Sequence, residues 1–199
     1  RDISAELDAR DQMMQNIAEK EFLCRISQNF LETTNDSDIF AHLSSGITEI
    51  VPDAVVVISS YNDSTGMMTA RVISDENGVD LLQEIFGGNG LEFCLSPEVL
   101  SKTDEYERIE NGQLAEITTD FLKLLVGDTA IKRLQQAIGH RKVYATLMIW
   151  EGKVIGATAV CIPESDELKN RALVETCICM AALTFQRHIV QESLSLSKN

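Results

Sequence analysis

Two blocks of strand-forming sequence constrain most strongly what this chain can fold into. Ala54-Val55-Val56-Val57-Ile58 is continuous and largely β-branched, the pattern of a central strand buried on both faces. Asn62-Asp63-Ser64-Thr65-Gly66 reads as a turn, and Met67 to Ile73 returns as a second strand. More than sixty residues later, Val143 to Trp150 and Lys153 to Ile162 form a hairpin around Glu151-Gly152, which Pro163 ends. Helical sequence brackets both blocks. Residues 4–33 hold no Gly or Pro, and Ile3, Leu7, Met14 and Ile17 keep three- and four-residue steps before Leu23, Ile26 and Phe30 continue an apolar face. The first half of this run is thinly apolar and heavily charged, which suits a dimer seam better than a core helix. Asn35-Asp36-Ser37 caps a second helix with Ile39, Phe40, Leu43, Ile47 and Ile50 on one stripe. Residues 165–195 read as a long closing helix. The predicted class is α+β: one antiparallel sheet with the long N- and C-terminal helices on one face. Residues 75–140 are left to cover the other face, and such a cover encloses a concavity suited to a small ligand.

That middle segment is irregular. A short helix is predicted from Val79 to Phe86, followed by a flexible bend at Gly87-Gly88-Asn89-Gly90 and the apolar stretch Leu91-Glu92-Phe93-Cys94-Leu95. Residues 104–116 are acidic and read as a solvated loop, with amphipathic runs at 113–125 and 128–138. Cys94 and His140 are the pair that carries chemistry here. His140 follows Gly139, opens an apolar strand, and is the only histidine between positions 43 and 187. A soft thiolate and an imidazole outside the scaffold point to a bound cofactor or metal rather than to hydrolysis. A buried thiol and a structural imidazole account for the same two residues.

Charge and motif absences narrow the function classes. Seventeen Lys and Arg stand against 31 Asp and Glu, a formal charge of −14, so the chain repels phosphate backbones and direct nucleic-acid binding is not expected. No apolar run reads as a membrane span of about 20 residues, and no signal sequence is recognisable. Cys24, Cys94, Cys161, Cys177 and Cys179 are odd in number and mostly in apolar segments, which fits a reduced, cytoplasmic protein better than a disulfide framework. The glycine bend lacks the Lys-Ser or Lys-Thr of a P-loop, and there is no Gly-x-Ser-x-Gly, His-Glu-x-x-His or Cys-x-x-Cys. Cys177 and Cys179 lie two apart on a helix and point in divergent directions, so they do not read as a chelate. His42 and His188 read as surface or interface residues of the terminal helices.

The order of elements resembles a GAF domain, the small-molecule sensor module of signalling proteins. The echoes are Ile39-Phe40 through Ile50-Val51-Pro52-Asp53-Ala54 before the first strand and Ile149-Trp150-Glu151-Gly152-Lys153-Val154-Ile155-Gly156 in the late hairpin. The likeness covers residues 20–192, with 193–199 as a tail. Arg1-Asp2-Ile3-Ser4 resembles the end of a PAS domain, which makes residues 1–19 a linking signalling helix, as in multidomain sensor histidine kinases. The cyclic-nucleotide signature of the family is absent, and Cys94 is followed by Leu95 rather than the His usual at bilin attachment sites.

The nearer resemblance is to the haem-binding GAF domains of methanogen sensor kinases associated with methyl-sulfide methyltransferases. It implies haem as cofactor, Cys94 as a single covalent thioether anchor and His140 as axial ligand to the haem iron. No Cys-x-x-Cys-His is present, so ordinary c-type attachment is excluded. Apolar residues including Phe86, Phe93, Phe121, Leu124 and Leu125 are candidates to line the slot, and Lys132, Arg133, Arg141 and Lys142 to meet the propionates. The expected function is redox or small-ligand sensing, transmitted through the terminal helices of a homodimer to a parent kinase and its downstream regulator. This fragment itself is not expected to be an enzyme. The alternative is a ligand-free GAF module for dimerisation and signal relay. Reduction of methionine sulfoxide, a third possibility, would need thiols converging in the pocket.

Overall fold

The structure is a computed structural model and describes residues 3–74, 92–94, 104–139 and 141–196. The helix expected over Val79 to Phe86, the glycine bend, Phe86 and His140 lie outside the described residues.

Helix α1 (Ile3–Glu32) and α2 (Asp36–Ile50) are joined by a tight turn in which the Asn35 side chain accepts a hydrogen bond from Asp38 N. Strands β1 (Val55–Asn62) and β2 (Met67–Ile73) follow, then a short β3 (Glu92–Cys94). The segment expected to be a solvated loop instead folds as α3 (Asp104–Glu110) and β4 (Ala115–Ile117). Helices α4 (Thr119–Val126) and α5 (Asp128–Ile138) precede the hairpin β5 (Arg141–Trp150) and β6 (Lys153–Pro163), and α6 (Arg171–Leu196) closes the chain. The closing helix begins six residues later than its hydrophobic pattern predicts, because Asn170 takes a positive φ of 54° that no helix can accommodate.

The strands form one antiparallel sheet in the order β3-β2-β1-β6-β5-β4. The two expected strand pairs make its centre, with β1 beside β6. On the helix face, Phe22, Ile26 and Phe30 of α1, Leu43 and Ile47 of α2, and Val174, Cys177 and Ile178 of α6 pack against Val56, Ile58, Tyr144, Met148 and Val160. Arg171–Gln191 is long and apolar enough to cross a membrane, by length and composition only, an exception to the expectation from sequence. Its apolar side is committed to this core.

The helices on this face are tied end to end. Phe40 stacks on Phe185 at 5.2 Å, and α1 and α6 both run against α2, so α1 and α6 are parallel. Arg187 Nη2 donates to Phe30 O at 3.1 Å, and His188 Nε2 lies 3.0 Å from Thr33 O. These contacts satisfy carbonyls that a helix C-terminus leaves orphaned. His188 is thus a buried tie between helices of one chain. Residues 6–18 of α1 are exposed, and burial against the domain begins in earnest at Phe22.

Gly156 of β6 sits tight against β1, where an added Cβ would lie 2.2 Å from Ser59 O and 2.5 Å from Met148 Cε. Backbone must move to admit it. Gly156→Ala is expected to lower stability by at least about 2 kcal/mol, read as a fall in the urea midpoint.

Candidate functional site

The face of the sheet opposite the helices has a floor of small residues. Register places Val57 beside Ala159, Ala159 beside Ala145, and Ala145 beside Ala115, in one row across four strands. The next row brings together Ser59, Ala157 and Leu147. Ala145, Ala157 and Ala159 are half-buried. Larger side chains surround them. Val55, Cys161, Val143 and Ile117 form the row on one side, and Tyr61, Met68, Ile149 and Val154 stand on the other. Tyr106 and Ile109 of α3 pack at the β4–β5 end, and Phe121, Leu122 and Leu125 of α4 join the same apolar cluster. The result is a shallow apolar trough on the sheet centre, flanked by bulkier walls.

The cover over the β4 end is stapled internally. Thr118 Oγ1 donates to Glu105 Oε1 at 3.0 Å and accepts from Phe121 N at 3.3 Å, which joins α3 to the first turn of α4. Burial, helped by Glu110, raises the pKa of Tyr106.

The expected site residues fall as follows. Phe93 pairs in register with Met68, a residue buried in the trough-side cluster. Cys94 pairs with Met67, the next position along. Gly139 ends α5 with φ 75° and ψ −176°, and β5 begins at Arg141. Arg141 Nη1 donates to Asp53 O at 3.0 Å and to Cys161 O at 3.3 Å, at the end of β1 and β6. Lys142 donates instead to Asp166 O, and Lys132 is exposed and ion-paired with Asp128 at 4.0 Å. Phe121 and Leu125 are in the cluster, but Leu124, expected beside them, is 57% exposed.

The described thiols do not converge. Cys161 is buried in the trough-side cluster and Cys177 in the helix-side core, and Cys24 and Cys179 are exposed. Burial pushes the Cys161 thiol up to about 11, against the pull of Arg141, and the Cys177 thiol up to about 12. A raised thiol pKa removes thiolate at pH 8, so a maleimide at that pH is expected to label Cys24 and Cys179 in the folded protein. Labelling of Cys161 and Cys177 should be at least about 100-fold slower until urea unfolds the chain, as mass spectrometry of the labelled peptides can report. Among the described residues no group of three or more His, Cys, Asp and Glu side chains is placed to hold a metal ion. A cleft of about 470 Å³ is present at the α1–α2 turn, lined by Asn35, Asp36, Arg187 and His188 among others, on the helix side and away from the trough.

Sequence reasoning missed the alanine floor. Its only signal was the small-residue alternation Ala157-x-Ala159 facing Ala145, which hydrophobic patterning does not mark.

No protein-family model matches the sequence. No curated protein matches it. Solved structures do match in fold. The GAF domain of a phosphoenolpyruvate-protein phosphotransferase from Coxiella burnetii superposes with a TM-score of 0.61 at 13% identity, over 88% of this chain and 96% of that one. The corresponding Acinetobacter domain gives 0.60 at 8% identity, over 87% and 95%. The phycoerythrobilin-bound GAF domain of a cyanobacterial phytochrome gives 0.56 at 11% identity, over 89% and 99%. The fold of this chain is the GAF fold.

Proposed function

We propose that residues 20–192 form a haem-binding sensor domain of a cytoplasmic histidine kinase, with residues 1–19 as a signalling helix. The observation that carries this reading is the trough: a flat apolar floor of Val57, Ala145, Ala157 and Ala159 with larger walls, as a planar tetrapyrrole requires. A bilin, a related tetrapyrrole, occupies the cyanobacterial relative. His140, between Gly139 and the first residue of β5, is the proposed axial ligand, and Cys94 the covalent anchor. Phe93 and Phe86 are assigned to the apolar lining and Arg141 to the polar rim. When bound, haem supplies a redox-active iron whose potential and gas access depend on its axial ligation. Cys94 would hold the group by adding its thiol across a vinyl group, forming one S–C bond and giving the thiol proton to the neighbouring carbon, with no oxidant needed. A redox signal or a small iron ligand then acts at His140, and the terminal helices carry the change to the kinase and its regulator. No catalytic residue is assigned to this chain. Titrating haemin into the protein is expected to give a Soret band that saturates at one equivalent and shifts on dithionite reduction. No saturable band would reject the reading.

A second reading, relay by a ligand-free dimer, is favoured by α1. Leu7, Met14 and Ile17 are exposed and keep seam spacing, and the seven-residue steps continue to Cys24 and Leu31, on the opposite side of the helix from Phe22, Ile26 and Phe30. Deleting residues 1–18 is expected to halve the mass seen by light scattering. An unchanged mass would argue against a seam on this helix.

A further inference from the structure

The cover over the trough is bonded directly to the closing helix. Glu175, one turn into α6, accepts a hydrogen bond from Leu114 N at 2.9 Å through Oε1. Leu114 precedes β4 and is buried in the helix-side core, whereas its neighbour Ala115 is buried in the trough-side cluster. One peptide unit therefore joins the two cores around the sheet edge. A second contact reinforces it: Arg171, four residues before Glu175, stacks over the Tyr144 ring at 5.3 Å. The Tyr144 hydroxyl meets Glu116 Oε2 of β4 at 3.3 Å. Residues 171 and 175 share one face of α6, so that face holds the β4 segment directly at Leu114 and, through Tyr144 of β5, at Glu116. Beyond β4, Thr118 passes the connection to both α3 and α4.

We infer that Glu175 and Arg171 are the joint that gears the trough cover to α6. The inference rests on the proposed reading of the trough as the ligand site. A ligand on the alanine floor meets Tyr106, Ile109, Phe121 and Leu125, and these belong to the stapled unit α3–β4–α4. That unit cannot shift along the sheet edge without drawing on the Leu114 N–H, and the bond to the Glu175 carboxylate passes the displacement to α6. A hydrogen bond to a charged acceptor in a part-buried setting is among the stronger local ties available, and the stack of Arg171 on Tyr144 opposes rotation of the first turn.

The test is hydrogen exchange on the full chain reconstituted with haemin, ferric against dithionite-reduced, in wild type, Glu175→Ala and Glu175→Gln. In the wild type, exchange is expected to change with iron state in residues 113–118 and in α6. Glu175→Ala should keep the Soret shift and the response at 113–118 but reduce the α6 response at least fivefold. Glu175→Gln retains an acceptor oxygen and should restore most of that response. A Glu175→Ala protein whose α6 responds as the wild type does, or a wild-type α6 that exchanges alike in both states, overturns the joint. A protein that takes up no haem fails the reading of the trough instead, and the joint is then judged on the haem-free chain. There, Glu175→Ala should speed exchange of the Leu114–Ile117 amides at least tenfold, and unchanged exchange overturns it.

Discussion

Replacing His140 with alanine is expected to leave haem in the protein while changing its ferrous spectrum and its redox behaviour. On the proposed reading the apolar trough would hold the macrocycle by burial, a contribution of about 25 cal/mol per Å² that does not depend on the imidazole. The iron loses its nitrogen donor, so the reduced spectrum becomes that of a centre without this ligand. The midpoint potential moves by on the order of 0.1 V, inside the roughly 0.8 V range over which axial ligands tune haem. Free imidazole added to the variant should restore the wild-type spectrum, because it fills the same position. A His140→Ala protein with the wild-type ferrous spectrum would remove His140 from the site. Gly139 before it takes a φ of 75°, so a substitution there would strain the backbone as well and would not report on the ligand alone.

Cys94→Ala should produce an all-or-none change in the fate of haem under acid–acetone extraction. In the wild type, on the proposed reading, the thioether should keep haem with the precipitated protein. In the variant nearly all of it should pass into the organic phase, while the folded variant still takes up haemin with a similar Soret band. The position makes this a sharp test. Cys94 ends an edge strand and pairs with Met67, one step away from the Met68–Phe93 pair on the trough face. Haem that stays with Cys94→Ala after extraction would reject the anchor and leave the trough reading standing.

The scaffold was legible because its residues leave few alternatives. Val55-Val56-Val57-Ile58 is too β-branched and too continuous for a solvent-facing helix, and Glu151-Gly152 supplies the two positive-φ residues, 48° and 76°, that a tight hairpin turn needs. Asn35 announces α2 by its cap. The short elements were not legible. Ala115-Glu116-Ile117 carries too few residues to declare a strand, and it is one only because β5 offers Val143, Tyr144 and Ala145 as partners. Asp104–Glu110 looks solvated by composition, yet Ile109, with Tyr106 packed beside it, anchors it onto the cluster. At the site, Cys94 and His140 stood out for their chemistry, whereas the floor did not, since alanine registers only by what it leaves empty. His188 read as a surface or interface group because its partners, Thr33 O and Asp36, lie about 150 residues away in the chain.

On the proposed reading a planar ligand lies on the alanine floor. This is tested most directly by haemin titration of Ala159→Phe beside the wild type, with urea midpoints measured on both. Ala159 is half-buried in the middle of that row, so a phenyl ring there occupies the trough without entering the helix-side core. The expected result is haemin affinity weakened at least about 100-fold, which corresponds to about 2.7 kcal/mol, with the urea midpoint nearly unchanged. Wild-type affinity and stoichiometry in Ala159→Phe would contradict the account and move the ligand off this face of the sheet.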